Sequence, residues 1–260
     1  MNDTTHLVPY MDLKKMAHCT ENGSYFICEG RLLVEEALRA AKEGRLSLVS
    51  ILCDSRQSKE WESKITSDAE LFSLGTGEIN DLVGFQFHRG VLCCCKVPEH
   101  SSEAQIVQSS KLLVLPQIDN VDNLGQLLRT AAALGMGAVL LGKAPDPFSR
   151  RCVRVSMGAV WKMPILKCDD LFRILDDWLL AGQSEESEIV GTADNSSAES
   201  ACLWEPAGRA ALVLGSESNG LDAAWKARCA KQVRIPMVGQ ADSLNVSAAG
   251  AILMAKMLAM

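Results

Sequence analysis

Short apolar strands alternate with helical segments along most of this chain, and that alternation restricts the fold more than any other feature. The segment KLLVLPQI (residues 111–118) is apolar throughout, which is typical of a strand buried on both faces of a parallel sheet. A helical pattern, NLGQLLRTAAALG (123–135), and a second apolar strand, GAVLLG (137–142), come next. The cycle repeats toward the C-terminus and therefore predicts an α/β fold with a parallel sheet.

The N-terminal part of the chain has a separate and smaller pattern of the same kind. Strands predicted at YFICEG (25–30) and GVLCCCKVP (90–98) enclose two further strands and two helices. Residues 98–110 lose this periodicity and are rich in Ser, Glu and Gln, as linkers are. The sequence predicts a small α/β domain at 1–100, a linker at 101–110 and a larger α/β domain at 111–260.

Composition excludes several classes of protein. A chain of 260 residues with 48% hydrophobic content can bury a core, and long disordered stretches are not expected. The ten cysteines include no CxxC pair, so we expect buried thiols in a reducing compartment rather than disulfides or a zinc site. There is no 18-residue apolar run and no signal-peptide pattern, which favours a cytoplasmic protein without membrane association.

Basic residues are concentrated in one segment, although the formal net charge is −6. Residues 143–167 contain six basic residues and one acidic residue, Asp146. A solvated protein face is the ordinary explanation of such a segment. A negative net charge does not exclude a polyanionic partner, because the local distribution of charge decides what a surface attracts.

Three common motifs are approached in the sequence but not formed. Gly135 and Gly137 follow a helix and precede a strand, whereas a dinucleotide-binding fingerprint needs the reverse order. GSESNG (215–220) lacks both the Lys-Ser/Thr ending of a phosphate loop and the spacing of a nucleophile elbow. The four histidines include no helical i, i+4 pair, so no metal site for hydrolysis is expected.

Three polar stretches remain, and each follows the predicted carboxyl end of an apolar strand, where parallel sheets bind their ligands. They are QIDNVDNLGQLLRTAAALG (117–135), LGSESNGL (214–221) and IPMVGQADSLNVSAAGA (235–251). Together they resemble the motifs of the SpoU/TrmH group of the SPOUT superfamily, the S-adenosylmethionine-dependent RNA 2′-O-ribose methyltransferases. The resemblance covers about residues 111–260, and the matching positions are Asn123, Gly125, Arg129, Thr130, Ala131, Gly215, Glu217, Gly220, Leu221, Ile235, Pro236, Met237, Ser243, Leu244, Asn245 and Val246.

The resemblance implies a fold, a cofactor and partners. The larger domain is expected to be a parallel-sheet SPOUT domain with a deep trefoil knot, and the protein is expected to act as a homodimer. The segments FICEGRLLVEEAL (26–38) and FHRGVLCCCKVP (87–98) are similar to the start and end of an L30e-like RNA-binding domain. The implied cofactor is S-adenosylmethionine, without a metal, and the implied partner is ribosomal or transfer RNA.

The same resemblance assigns catalytic positions to Arg129, Asn123, Glu217, Ser243 and Asn245. A guanidinium group holds its proton at neutral pH, so we expect Arg129 to bind a substrate phosphate and stabilise charge on the 2′-oxygen rather than act as the base. Asn123 is expected to orient the arginine or the ribose, or else to cap a helix. Glu217 is expected to hold Arg129, or else to be a surface residue. Capping is also the alternative role for Ser243 and Asn245.

Two sets of binding residues complete these expectations. Main-chain groups of strand-end loops suit the adenine edge and the methionyl tail of the cofactor. The expected wall of the cofactor pocket consists of Leu214, Gly215, Ile235, Met237, Ser243 and Leu244. In the basic segment, Arg150 and Arg154 are one helical turn apart and are flanked by Arg151, which makes these three arginines the candidate RNA-phosphate contacts.

Two other functions stay open at this point. One is a non-catalytic RNA-binding or assembly factor on the same fold, and the other is an unrelated α/β nucleotide-binding enzyme. The joint presence of Asn123, Arg129, Glu217, Ser243 and Asn245 disfavours the first. The absence of a strand-borne glycine fingerprint disfavours the second.

Overall fold

Two sheets form the framework of the chain, each in its own compact unit. The computed structural model describes residues 4–14, 24–65, 68–88, 90–99, 101–183, 185–193, 197–216, 219–239 and 243–258. The first unit comprises Met1–Glu99 and Asp146–Trp161, and the second comprises His100–Pro145 and Lys162–Met260. The segment Asp146–Trp161, which the sequence analysis assigned to the larger domain, thus packs with the N-terminal sheet.

The first unit contains a four-stranded sheet in the order β1-β4-β2-β3. β3 is parallel to β2, and the other neighbouring strands are antiparallel. Its strands are β1 (Tyr25–Glu29), β2 (Leu48–Asp54), β3 (Glu70–Leu74) and β4 (Val91–Lys96), and its first helices are α1 (Arg31–Lys42), α2 (Ser58–Lys64) and α3 (Thr76–Val83).

Helix α3 is not among the elements predicted from the sequence, although its end signals are present there. The Glu78 side chain accepts a hydrogen bond from the N–H of Gly75 at 2.7 Å, which satisfies one of the free amides at the start of the helix. Gly84 ends the helix with φ 77°, a backbone conformation that glycine adopts without strain.

Strand β4 is buried on both faces. Alternation along a strand with one buried face would bury either Cys94 or its two neighbours, but Cys93, Cys94 and Cys95 are all fully buried. Cys94 packs in a core cluster with Tyr10 and Leu52, while Cys93 and Cys95 point to the opposite face. The described cysteines form no disulfide bond with one another and most are buried, as predicted, with Cys202 exposed.

The segment Asp146–Trp161 contains a short helix, α6 (Arg150–Val155). The rings of Phe148 and Trp161 pack on Phe26 of β1, with centroids 5.2 Å and 5.6 Å away. The sequence pattern SRRCVRVSMGAVWKM predicts one helix over residues 149–163. Instead the helix stops at Val155, because the chain turns at Gly158 with φ 75° and brings Trp161 against that glycine.

The second unit contains a sheet of seven parallel strands in the order β7-β6-β5-β10-β8-β11-β9, which confirms the predicted parallel α/β architecture. Its strands are β5 (Lys111–Gln117), β6 (Ala138–Lys143), β7 (Ile165–Lys167), β8 (Ser187–Thr192), β9 (Glu199–Ser200), β10 (Arg209–Val213) and β11 (Lys231–Arg234). Its helices are α4 (Glu103–Val107), α5 (Val121–Ala133), α7 (Leu171–Ala181), α8 (Ala223–Arg228) and α9 (Val246–Lys256).

Helix α4 lies inside residues 101–110, which the sequence analysis assigned to a linker. The Ser102 amide donates to Gln105 Oε1 at 2.9 Å, and Ile106 is fully buried in the core beside Leu112 and Trp178. This segment is therefore a packed part of the second unit. Within the described part of the chain, every helix is too short or too polar to cross a membrane.

Arg209, at the start of β10, joins two helix ends to the centre of the sheet. Its Nη2 atom donates to the carbonyl oxygens of Val107 at 2.6 Å and Trp178 at 2.9 Å. Both carbonyls lie in the last turn of their helices, α4 and α7, where intrahelical partners are missing. Burial lowers the pKa of Arg209, and its guanidinium lies over the Trp178 ring, 4.4 Å from the centroid.

Candidate functional site

The strand order of the second unit creates a topological switch point between β5 and β10. The chain leaves β5 toward β6 on one side of the sheet and leaves β10 toward β11 on the other side. Connections that diverge in this way open a crevice at the carboxyl ends of the two strands, where α/β proteins bind ligands. The helix that follows β5 contains the predicted residues Asn123 and Arg129, and the loop that follows β10 begins with the predicted wall residues Leu214 and Gly215.

Helix α5 presents Asn123 from its first turn. Asn120 caps this helix, since its side chain accepts hydrogen bonds from the N–H groups of Asp122 at 2.8 Å and Asn123 at 3.4 Å. The capping alternative for Asn123 is therefore wrong. Asn123 is buried, and its Oδ1 accepts a hydrogen bond from Asn245 Nδ2 at 3.0 Å.

Asn245 has two roles at once. Its Oδ1 accepts from the N–H of Ser247 at 2.9 Å and so caps α9, as the capping alternative predicted. Its Nδ2 donates to Asn123, which is 122 residues earlier in the chain. The Ser247 hydroxyl adds a second link to α5 by donating to Gln126 Oε1 at 2.6 Å. The first and third motifs therefore meet through side-chain hydrogen bonds.

The small residues of α9 allow this close contact. A Cβ atom on Gly250 would lie 2.5 Å from Leu127 Cδ2 and 2.9 Å from Leu214 Cδ1. Glycine thus lets α9 approach α5 and the end of β10 more closely than any other residue would. The predicted wall residue Leu214 is fully buried in this contact, and its amide donates to Val114 O within the sheet.

Gly215 begins a tight turn after β10. Ser216 and Gly220 are joined by two backbone hydrogen bonds of 3.2 Å and 3.0 Å. A Cβ atom on Gly215 would lie 2.4 Å from the carbonyl carbon of Gly220 and 2.6 Å from the nitrogen of Leu221. Gly215 belongs to the expected cofactor wall, but a side chain at this position would strike the backbone of the turn. Glu217 lies outside the described residues.

The loop after β11 exposes both main-chain groups and apolar side chains. Within the described residues, the main-chain groups of Ile235, Met237 and Val238 have no hydrogen-bond partner. Met237 and Leu244 are partly exposed, at 37% and 39%, and Val238 is fully exposed. Exposed apolar groups beside unpaired peptide groups are suited to a ligand that is itself part apolar and part polar.

Two further predicted residues, Arg129 and Ser243, are exposed and form no hydrogen bond with the asparagine pair. Arg129, on α5, makes no hydrogen bond or ion pair with any residue that the structure describes. Ser243 is exposed and precedes the cap of α9 by two residues. The structure therefore brings Asn123 and Asn245 together and leaves the Arg129 guanidinium available to a ligand.

The three arginines of the basic segment belong to the first unit. Nη1 atoms of Arg150 and Arg154 lie 3.2 Å and 3.7 Å from Oε2 of Glu29, a buried carboxylate at the end of β1. The Arg150 guanidinium also lies over the Phe85 ring at 4.8 Å, and Arg151 is exposed. Two of the three charges are thus partly used to neutralise Glu29.

An open cavity of about 540 Å³ lies farther along the carboxyl edge of the second sheet. It is lined by the ends of β6 and β7 and by the start of α7, and it includes Lys143, Lys167 and Phe172. None of the predicted site residues lines this cavity. Its position therefore does not mark the site defined by the three motifs.

Comparison with known proteins supplies independent information. Residues 110–255 match the SpoU rRNA Methylase family. The chain is 28% identical to the 23S rRNA (guanosine(2553)-2′-O)-methyltransferase RlmP of Bacillus subtilis, over 88% of this chain and 86% of that protein. It is 33% identical to the 23S rRNA (guanosine-2′-O-)-methyltransferase RlmB of Coxiella burnetii, over 75% and 79% of the two chains.

A solved structure has the same fold over nearly the whole length. It is the SpoU methyltransferase AviRb from Streptomyces viridochromogenes, in complex with the cofactor AdoMet. The TM-score is 0.79 at 20% sequence identity, over 98% of this chain and 97% of that one. The likeness extends the shared architecture beyond the residues that match the family.

The contact between Gly215 and the turn predicts a position-specific effect on stability. We expect Gly215→Ala to lower the free energy of unfolding by about 1–3 kcal/mol, because the added methyl group displaces backbone atoms. Gly208→Ala, at the other end of β10, is the matched control, since a Cβ there meets nothing within 4 Å. Urea unfolding monitored by circular dichroism measures both, and equal stability of the two variants would contradict the account.

Proposed function

Because the chain belongs to the SpoU rRNA methylase family, we propose that it transfers the methyl group of S-adenosylmethionine to a ribose 2′-hydroxyl of RNA. The observation that carries this proposal is the hydrogen bond between Asn123 and Asn245 at the switch point of the parallel sheet. Asn123 lies on α5, the helix that also carries the exposed Arg129. Ribosomal RNA is favoured over transfer RNA, because RlmP and RlmB are both named as 23S rRNA enzymes.

The loop after β11 supports the cofactor assignment. S-adenosylmethionine supplies a methyl group activated by a sulfonium, and its adenosine and methionyl parts combine apolar surface with hydrogen-bonding groups. The unpaired peptide groups of Ile235 and Met237 match the second property, and the exposed side chains of Met237 and Leu244 match the first. Gly215 and Ser243 complete the proposed wall, while the buried Leu214 contributes through packing.

Methyl transfer needs an aligned hydroxyl that loses its proton as the bond to carbon forms. Negative charge develops on the 2′-oxygen, and an exposed guanidinium offers five N–H donors to that oxygen and to a neighbouring phosphate. We assign this stabilising role to Arg129. Asn123 is held by Asn245, so we assign it to positioning α5 rather than to contact with Arg129.

This assignment predicts that Arg129→Ala loses methyl transfer by about 100- to 1000-fold, the usual cost of removing a preorganised donor at a developing oxyanion. Binding of S-adenosylmethionine should be retained, since the proposed cofactor wall comes from other segments. Incorporation of radiolabelled methyl into ribosomal RNA and calorimetry measure the two effects. Arg173→Ala is the control, because this arginine is exposed on α7 and pairs with Glu103.

Arg129→Lys distinguishes the stabilising role from a base. A lysine restores the charge without the bidentate fork, so we expect weaker RNA affinity and partial activity with the pH dependence of the parent. A new inflection near the pKa of an ammonium group would instead identify the lysine as a base. Full activity of Arg129→Ala would contradict the role assigned to Arg129. RNA binding without methyl transfer by the parent protein would instead favour the non-catalytic RNA-binding alternative.

We also propose that the first unit is an L30e-like RNA-binding domain that uses the arginines of α6. Two observations support this. The unit has a mixed four-stranded sheet whose strands alternate with helices along the chain, and Arg151 is exposed. The pairing of Arg150 and Arg154 with Glu29 reduces the charge that they offer to phosphates. All three arginines remain proposed phosphate contacts, and Arg151 is an exposed one.

Salt dependence tests these contacts. Each phosphate contact contributes about 0.7–0.9 to the slope of log K against log salt concentration. We expect the triple change of Arg150, Arg151 and Arg154 to Gln to reduce the magnitude of this slope by about 1–2. This reduction is smaller than three full phosphate contacts would give, because Arg150 and Arg154 already face Glu29. Arg45→Gln serves as a control in the same unit. An unchanged slope in the triple variant would contradict the proposed phosphate contacts and would favour the alternative that the basic segment is a solvated face.

We further propose a homodimer with α9 at the interface. The side chains of Leu203, Ile252 and Leu258 are exposed at 75%, 46% and 41%. Lys256 at the end of α9 donates to Cys202 O at 3.3 Å, which brings the segment around Leu203 beside this helix. The path from β11 back to α5 also supports the trefoil knot, because α9 returns past β8 and β10 to reach that helix. A crystallographic chain trace through residues 240–242 tests the knot.

Light scattering tests the dimer. We expect a mass of twice 28.1 kDa for the parent protein. Ile252→Glu should shift the mass toward one chain, because a charge in an apolar interface is costly. Leu180→Glu is the control, as Leu180 is 60% exposed on α7, away from this patch. A parent protein with the mass of one chain would contradict the proposal.

A further inference from the structure

Three cysteines of the first unit bring their sulfur atoms together. β1 and β4 pair antiparallel with Cys28 opposite Cys93, and Cys95 follows two residues later on the same face of β4. The Sγ atoms of the three lie within 4.8 Å of one another, and those of Cys93 and Cys95 are 3.9 Å apart. All three residues are fully buried, so the sulfurs form a triangle inside a core.

The size of this triangle suits a single central atom. An atom bonded to three sulfurs at the usual thiolate distance of about 2.3 Å holds them about 3.5–4.0 Å apart, depending on whether the bonds are pyramidal or planar. The Cys93–Cys95 separation is already in this range. The other two separations need to close by no more than about 1.3 Å, which rotations within a staggered side-chain well provide.

The number of ligands narrows the choice of atom. Among the residues that the structure describes, no fourth cysteine, histidine or carboxylate joins this group. Structural Zn(II) sites are almost always four-coordinate. Because the three cysteines are fully buried, solvent does not supply the missing ligand. The cluster therefore favours an atom that is complete with three sulfurs.

Charge narrows the choice further. In the described part of the chain, the side chains that interact with these three sulfurs by hydrogen bonds or charge are cysteines and Tyr10, and none of them is positively charged. A complex of three thiolates with Cu(I) would have a net charge of −2, and a complex with a divalent ion would have a net charge of −1. An uncompensated charge in a core is costly, whereas three thiolates around a trivalent atom are neutral.

We propose that Cys28, Cys93 and Cys95 form a three-thiol site for trivalent arsenic, taken up as arsenous acid, As(OH)₃. Three As–S bonds form and three As–O bonds break, and each departing hydroxyl takes one thiol proton and leaves as water. The oxidation state of arsenic and sulfur does not change, so no oxidant or reductant is needed. None of the residues proposed for methyl transfer contributes to this site.

Arsenite and the full-length protein provide the test, under anaerobic conditions and in a Cys202→Ser background that removes the exposed thiol. Arsenite is added to the folded protein and, separately, during refolding from urea, because buried thiols become reachable only when the core opens. Native mass spectrometry should detect one adduct per chain that gains one arsenic atom and loses three hydrogen atoms. X-ray absorption should detect three sulfur neighbours per arsenic.

Variants of the cluster and a matched neighbour make the test specific. We expect Cys93→Ala and, independently, Cys28→Ser to lose the three-sulfur adduct. Cys94→Ala should retain it, because Cys94 is equally buried in the same strand but points to the opposite face. Circular dichroism verifies that each variant is folded, and the second cluster variant keeps the test decisive where one fails to fold.

Several results would overturn the proposal. One is the absence of an adduct after both the folded-state and the refolding incubations. Another is a three-sulfur adduct that persists in folded Cys93→Ala or Cys28→Ser. Tight one-to-one binding of Zn(II) or Cu(I) alone, with no arsenic adduct, would contradict the charge argument. Loss of two hydrogen atoms without arsenic would identify a disulfide in place of the proposed site.

Discussion

The close packing of α9 against α5 is the interaction on which the rest of the proposed site depends. It brings the third motif beside the first, although the two are more than 100 residues apart in sequence. Gly250 makes the approach possible, because a side chain there would collide with Leu127 and Leu214. The Asn123–Asn245 hydrogen bond then fixes the relative position of the two helix starts.

This packing explains why the exposed groups lie where they do. While Asn123 and Asn245 bind each other, the Arg129 guanidinium on α5 and the peptide groups of Ile235 and Met237 after β11 make no hydrogen bond with any residue that the structure describes. A guanidinium donor is suited to stabilise a developing negative charge. Peptide groups are suited to bind a polar, uncharged part of a ligand. The proposed division between substrate and cofactor follows from that difference.

Sequence patterns predicted the parallel sheet because several of its strands are continuous apolar runs, such as residues 112–115. Such runs are typical of strands that are buried on both faces of a parallel sheet. They also located the three motifs, because polar residues after such strands stand out. Helices α3 and α4 were missed because they are short, although the capping residues Glu78 and Gln105 were legible in the sequence. End signals carry more information than periodicity over five to eight residues.

Other features have no local sequence signal. The placement of Asp146–Trp161 in the first unit depends on rings that pack on Phe26, and a helical pattern does not state which sheet it covers. Arg150 illustrates the consequence, because it lies in a basic segment of the sequence and yet pairs with the buried carboxylate of Glu29. In the same way, the capping and pairing roles of Asn245 are separable only in three dimensions.

The most direct measurement of the central claim is a double-mutant cycle on Asn123 and Asn245, read out as kcat/KM for methyl transfer from S-adenosylmethionine to ribosomal RNA. Loss of the α9 cap affects Asn245→Ala and the double variant alike, so it cancels in the coupling term. If the two side chains position the site as one unit, the double variant should lose little more activity than the worse single variant, with a coupling of about 0.5–3 kcal/mol. Fully additive losses would contradict the account, since they would mean that the two motifs act independently.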